Sequence, residues 1–311
     1  MTFNQISEQW LNIHEIRIGH STYIGYKNDL KHLSALIENT DITKIKYSDL
    51  QGAINKLCVN EKAGKLYSKR TVNGFKNTLS QVFTFAMKSG YISENISKSI
   101  DISNQLKRAK SRGCLTENEL QSVLNFPHKY RDFVVFIYYT GIRRGEALAL
   151  LWKDIDWKNK CVRINKSVEF INNHPHVKCP KTENSERIIP LPDTFIPYLH
   201  MMRNRSTNDY IFTQTTTGKP HTESSYKKMW NRWFNDLNIF LGGTKEHLAI
   251  RRLTAHMLRH TYITYLFEHK IPSLVIQNVA GHSDITFTLR QYTHIREEQE
   301  KLSFANIRSI F

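Results

Sequence analysis

Between residues 154 and 190 the chain changes its hydrophobic period, and that change limits the folds open to it. "CVRI", "KSVEFI" and "ERIIPL" are strand-like runs with turn residues between them. On either side, apolar residues recur at helical spacing. Short strands set among helices predict a mainly α chain with a small antiparallel β-sheet, an α+β fold.

The helical part before the strands is read from its periodicity. Phe3, Ile6, Trp10 and Ile13, then Tyr23, Tyr26, Leu30 and Leu33, predict helices over 3–17 and 21–38. "YSDLQGAINKLC" starts another, with Ser48 as its expected N-cap, and "YSKRTVNGFKNTLSQVFTFAMKSG" is a longer one closed by Gly90. Residues 1–95 are therefore expected to form a small all-helical domain. After it, apolar periodicity fades and Ser, Lys and Arg gather, so 96–113 reads as a basic linker. Such a linker either tracks a phosphate backbone or is a solvated connector. Thr116 and Glu119 then form a capping box, and "DFVVFIYYTG" and "IRRGEALALLW" read as a buried helix and a short one. Beyond the strands, helices are expected near 193–203, 222–238, 254–268, 272–280, 284–292 and 296–309.

Charge narrows the partner. Lys and Arg number 44 against 28 Asp and Glu, a net charge of +16 that favours a polyanion, most often nucleic acid. Residues 1–110 hold 16 basic and 9 acidic side chains, and the remainder 28 and 19, so both halves are basic. The bland alternative is a basic surface and nothing more. Cys58, Cys114, Cys161 and Cys179 form no CxxC pair, which signals neither a zinc ribbon nor a redox motif and suits a reducing cytosol. The N-terminus is no signal peptide, and no apolar run reaches membrane length, so no membrane partner is expected.

Four segments carry groups suited to one chemistry. "TGIRRGE" puts Arg143 just after a glycine turn, at a helix start. "CPKTENSERIIPL" puts Lys181 at the mouth of a strand hairpin. "HMLRH" puts His256 and Arg259 at i and i+3, on one helix face. "AGHSDITFTLRQYTH" supplies His282 and Tyr292. Read alone, "HMLRH" is a metal site, a packed core or a phosphate-handling centre. His256 and His260 have the i, i+4 spacing of a zinc pair, but no HExxH glutamate accompanies them and Arg259 repels a cation. Arginine forks grip phosphate oxygens and stabilise charge on a pentacoordinate phosphorus. A tyrosine can attack phosphorus, and a lysine or histidine can protonate the leaving oxygen. Neither a metal nor another cofactor is needed for that set.

These motifs, with their flanks, resemble the tyrosine recombinase (phage integrase) family over about residues 110–295. The family's signature is T-G-x-R, a hairpin lysine, H-x-x-R, a later His or Trp, and a tyrosine near the C-terminus. It falls here on Arg143, Lys181, His256, Arg259, His282 and Tyr292. Ile263 and Ala280 depart from common residues beside these motifs without touching a reactive group.

The resemblance implies a SAM-like core-binding domain at 1–95, a catalytic domain at 114–295 and a C-terminal tail helix at 296–311. The two domains would close as a C-shaped clamp on double-stranded DNA. Four protomers would work on two DNA sites, with accessory DNA-bending or directionality factors as further partners. Arg143 and Arg259 would hold the scissile phosphate, and His256 would assist as proton acceptor or hydrogen-bond donor. Tyr292 would attack to leave a 3′-phosphotyrosine, Lys181 would protonate the 5′ oxygen, and His282 would donate to a non-bridging oxygen. The place of action would be the cytoplasm, on nucleoid DNA. Many relatives carry a further N-terminal arm-binding domain. Here the helical domain starts almost at Met1, so that domain is expected to be missing, by nature or by trimming.

The competing readings of single residues are plain. Arg143 pairs structurally with Glu146, Lys181 is a solvated hairpin lysine, and His260 packs or lies beside phosphate. Tyr262 and Tyr265 are rivals to Tyr292, but sit on the helix behind H-x-x-R and are expected to pack. Arg144, Arg251 and Arg252 are phosphate contacts or surface charge. In the tail, Phe304, Ile307 and Phe311 make an apolar stripe that is buried either in cis or, as the family suggests, on a neighbouring protomer. Two other functions stay open: a type IB topoisomerase-like DNA-relaxing enzyme, and a catalytically silent DNA-binding regulator.

Overall fold

The computed structural model describes residues 1–37, 39–60, 65–107, 113–178 and 186–281. Lys181, Cys179, His282, Tyr292, the helices expected at 284–292 and 296–309, and the tail stripe lie outside the described residues. The chain divides into two compact units, Met1–Ser111 and Arg112–Phe311.

In the first unit, α1 (Phe3–Glu15) is opened by a capping box in which Thr2 and Gln5 satisfy each other's backbone N–H. It is followed by α2 (His20–Ile37) and α3 (Tyr47–Lys56). The cap of α3 is Lys46 rather than the expected Ser48. The Asp49 carboxylate reaches back to the Lys46 N–H at 2.9 Å and starts the helix two residues earlier. Two short strands follow, β1 (Val59–Asn60) and β2 (Lys65–Leu66), paired antiparallel, so the unit is not all-helical. Two residues per strand leave no alternation to read from sequence. The longest helix of the unit, α4 (Lys69–Lys88), is capped by Ser68. Phe3, Ile6, Trp10, Leu33, Leu50, Ile54, Leu79 and Phe83 close the core.

Part of the stretch read as linker is built into this unit. Ile100 and Leu106 are buried in its core, and Gln51 brackets Asp101 with a bond to its carbonyl and another from its N–H, each 2.9 Å. The Lys69 N–H donates to the Lys107 carbonyl. Two buried side chains spaced six apart are too few to produce a visible period, so the composition looked like linker.

The second unit begins with α5 (Glu117–Asn125), capped by Thr116 and Glu119 as the sequence predicts. Next come α6 (Arg131–Thr140) and α7 (Arg144–Ala149). Phe133 to Ile137 of α6 are all buried, which fits its continuous apolar run. The strands are β3 (Ile155–Asp156), β4 (Cys161–Ile164), β5 (Ser167–Ile171), β6 (His174–Lys178) and β7 (Arg187–Pro190). They form two antiparallel sheets instead of one, in the orders β3-β4-β7 and β5-β6. The strand β6, "HPHVK", escaped the sequence reading because it is largely exposed and has no apolar face. Asn172 and Asn173, both at positive φ, make the turn before it.

The remaining described helices are α8 (Ile196–Arg205), α9 (Glu223–Phe240), α10 (Ala255–Glu268) and α11 (Ser273–Ala280). They lie within a few residues of their expected places. Phe136 packs against Phe195 and Phe212 in edge contacts, and Trp230 and Trp233 of α9 close the same core. On this core sit the helix ends that carry the arginines.

Candidate active site

The "TGIRRGE" segment is shaped by Gly141. It ends α6 at φ 62°, and the Tyr262 ring lies where a side chain at that position would stand. The turn leaves Arg143 as N-cap of α7. Glu146, three residues on, fixes it twice. One carboxylate oxygen accepts the Arg143 backbone N–H at 2.7 Å, and the other accepts the Arg143 guanidinium at 2.9 Å. Arg143 is still 43% exposed and is thereby aimed without being covered.

Glu146 has a second partner that the sequence did not reveal. Arg187, at the start of β7, has a fully buried side chain and forks onto both Glu146 oxygens at 3.0 and 2.8 Å. A signal was present in "RIIP": Arg187 alternates onto the inner face with Ile189, while Ile188 points out.

The three arginines meet at one place, the C-terminal end of α11. The Arg187 Nε donates to the Val279 carbonyl at 2.8 Å, Arg259 to the Ala280 carbonyl, and Arg143 to the Gly281 carbonyl at 2.7 Å. Arg259, 1% exposed, also donates to the Gly141 carbonyl at 2.7 Å, the closing residue of α6. Carbonyls at a helix C-terminus lack intrahelical donors and carry the negative end of the helix dipole. They are suited to holding cations. With three guanidiniums against one carboxylate, the cluster keeps a net positive charge, which suits it to an anion. Burial pushes the Glu146 carboxyl up, but bonds and charge from Arg187, then Arg143, outweigh it and hold it down at about 2.

His256 and Arg259 are neighbours on α10, as expected, but not equally accessible. His256 is exposed and Arg259 is buried one layer below. The His256 ring packs edge-on against His260, centroids 4.3 Å apart. Among the described residues no group of three or more His, Cys, Asp or Glu gathers in a metal-ligand cluster. His260 is half-buried, and burial, then His256 and Arg259, lower it to about 4. A histidine held neutral when folded costs stability once the unfolded chain takes up a proton. Stability is therefore expected to be full above pH 6.5 and to fall as pH drops from 6.5 towards 4. Urea unfolding across that window should show a shallower loss for His260→Gln than for wild type. Equal slopes would disprove this role for His260.

The rival tyrosines behave differently from each other. Tyr262 packs by Gly141, and burial pushes its hydroxyl up to about 12. Tyr265 is 49% exposed and lies tilted against the His269 ring, so the expectation that it packs inward is corrected. The three further arginines are engaged by protein groups. Arg144 lies over the Phe170 and Tyr226 rings, Arg251 pairs with Glu119, and Arg252 bonds Asn231 over Phe234.

The sequence profile of the phage integrase family matches residues 114–299, and that of the phage integrase N-terminal SAM-like domain matches residues 2–58. The chain belongs to the phage integrase family. It is 26% identical to a tyrosine recombinase XerC-like protein of Caldanaerobacter subterraneus subsp. tengcongensis, over all of this chain and 84% of that protein. It is likewise 26% identical to the integrase of Staphylococcus phage L54a, over 97% of this chain and 91% of the other. Among solved structures, the Tn1549 transposon integrase in complex with a circular intermediate DNA superposes with a TM-score of 0.82 at 22% identity. That match covers 97% of this chain and 99% of the other. A lambda integrase tetramer bound to a Holliday junction superposes at 0.66 and 19% identity, over 92% and 79% of the two chains.

Proposed function

We propose that this chain is a tyrosine recombinase that cuts and rejoins duplex DNA at specific sites, serving integration or excision of a mobile element. The observation that carries the reading is the convergence of Arg143 and Arg259, from motifs over a hundred residues apart, on the Ala280 and Gly281 carbonyls. The next residue in the chain is His282, and Tyr292 follows ten residues later. The arginine cluster thus ends one residue before the stretch of chain that bears His282 and Tyr292.

In the reaction, Arg143 and Arg259 hold the scissile phosphate and oppose its developing charge. The Tyr292 hydroxyl gives its proton to His256 and forms a bond to phosphorus, while the bond from phosphorus to the 5′ oxygen breaks. Lys181 supplies the proton to that leaving oxygen. His282 donates to a non-bridging oxygen. The tyrosyl ester conserves the bond energy, so a second DNA 5′ hydroxyl reverses the step without ATP. The first unit, Met1–Ser111, would act as the core-binding domain, with 114–295 as the catalytic domain and 296–311 as the tail.

The partner is double-stranded DNA, engaged by a homotetramer on two sites. The lambda integrase tetramer on a Holliday junction supports that assembly by analogy. Accessory DNA-bending or directionality factors are further partners. Among the described residues no helix is long and apolar enough to cross a membrane, and we place the protein in the cytoplasm, on the nucleoid.

The wild-type protein is expected to form a denaturant-resistant adduct with a nicked duplex in EDTA. The duplex carries the target that the protein selects from a randomised pool. Activity lost in chelator and restored by magnesium or zinc would sink the arginine-based mechanism. Tight binding without any adduct would favour the silent regulator. Plasmid relaxation by a monomer, with no exchange between two sites, would favour the topoisomerase-like reading.

A further inference from the structure

We propose that Arg187 is a positioning residue for DNA cleavage, the buried tie that sets Arg143 through Glu146 and fixes the end of α11 from which the His282–Tyr292 segment departs. The inference rests on the functional reading above and deepens it.

Three independent contacts support it. Arg187 forks onto both oxygens of Glu146, the carboxylate that also takes the Arg143 N–H and guanidinium. Its Nε binds the Val279 carbonyl, one residue before the carbonyl that Arg259 uses and two before the one that Arg143 uses. Its guanidinium also packs against Gly281 so closely that a Cβ there would come within 2.9 Å of it. Gly281 sits at φ 61°, so both its backbone and its missing side chain suit this approach.

Position along the chain adds to this. Arg187 opens β7 six residues after Lys181, so the first strand after the lysine in the chain begins on this tie. One buried guanidinium therefore links the T-G-x-R turn, the strand β7, and the helix end shared with H-x-x-R. All three of its guanidinium nitrogens are bonded to Glu146 or to the Val279 carbonyl. It acts through other groups, unlike Arg143.

A bulky structural arginine would stabilise the fold and nothing more, so the test must separate positioning from folding. The charged groups acting on Glu146 are Arg187 from β7 and Arg143 from the cap of its own helix, while Arg259 reaches the same helix end from α10. Tyr262 of α10, with its hydroxyl raised to about 12, is neutral throughout the range of interest. Without Arg187, burial raises the Glu146 carboxyl against Arg143 alone. A protonated Glu146 cannot hold Arg143 through both oxygens. Cleavage by the variant then acquires an acid limb additional to the one that protonation of His256 gives wild type.

The experiment measures single-turnover adduct formation against pH for wild type, R187M, R187K and the double variant E146Q/R187M, on the selected nicked duplex. Duplex binding and thermal unfolding are followed in parallel. R187M is expected to bind DNA as wild type does and to cleave about 10²-fold more slowly, with the acid limb. R187K keeps the charge but not the fork, and should recover part of the rate. E146Q/R187M should be slow with the wild-type pH profile, because an amide does not titrate. Wild-type rate and profile in R187M, or a uniform slowing without the limb, would overturn the inference. So would failure of both R187M and R187K to fold, which would leave Arg187 a purely structural residue. If wild type itself forms no adduct, the functional reading fails instead, so the two failures are told apart.

Discussion

Replacing Tyr292 by Phe is expected to leave the protein folded and bound to its duplex, and to remove every covalent protein–DNA adduct. The substitution deletes one oxygen and almost no volume, so packing and shape are kept. Covalent catalysis, by contrast, has no partial form: without the hydroxyl no ester to phosphorus exists. The competing nucleophiles bear on the outcome. Tyr262 is packed by Gly141 and its hydroxyl is raised to about 12, so it is both shielded and hard to ionise. Tyr265 is the more serious rival because it is half exposed. The test is therefore run as a pair, Tyr292→Phe and Tyr265→Phe, on a nicked suicide duplex resolved on a denaturing gel. Adducts that persist in the first variant and vanish in the second would reassign the nucleophile.

How much of this was legible before the structure varies by element, for physical reasons. Helices with a clear apolar face were read within a few residues, because a 3.6-residue period survives in the order of side chains. The capping box at Thr116 and Glu119 was equally legible, since its signal is local. Strands without a buried face were not: β6 is exposed, and β1 and β2 are two residues each. The motif arginines were found because their neighbours spell a pattern. Their arrangement was not, because it depends on backbone carbonyls, which every residue carries and no sequence marks. Arg187 was missed for a related reason. Its importance lies in being buried against Glu146 across 41 residues of chain, and a charged residue in a strand reads as solvent-facing.

The same dependence on carbonyls makes Arg259 the arginine whose loss should cost most, and Arg259→Lys is the sharpest way to show it. Lysine keeps the positive charge. It has one ammonium on a flexible stem in place of a planar fork, so it cannot reach two fixed acceptors at once. In wild type those acceptors are the Gly141 carbonyl, which closes α6, and the Ala280 carbonyl near the end of α11. One of them would be left buried without its donor, at a cost of about 1–3 kcal/mol in stability. The larger effect falls on the reaction. Removing a fixed donor from a site that stabilises developing negative charge typically lowers the rate by about 10²–10³-fold. Duplex binding spreads over many basic contacts in both units and should change little. Arg259→Lys is thus expected to bind DNA, to melt earlier than wild type, and to form adducts at least about 10²-fold more slowly in single turnover. Arg143→Lys, at a 43% exposed position, should match it in rate but not in the loss of stability. Wild-type cleavage by Arg259→Lys would mean that charge alone suffices there, and the double anchoring of the guanidinium would then serve the fold rather than the chemistry.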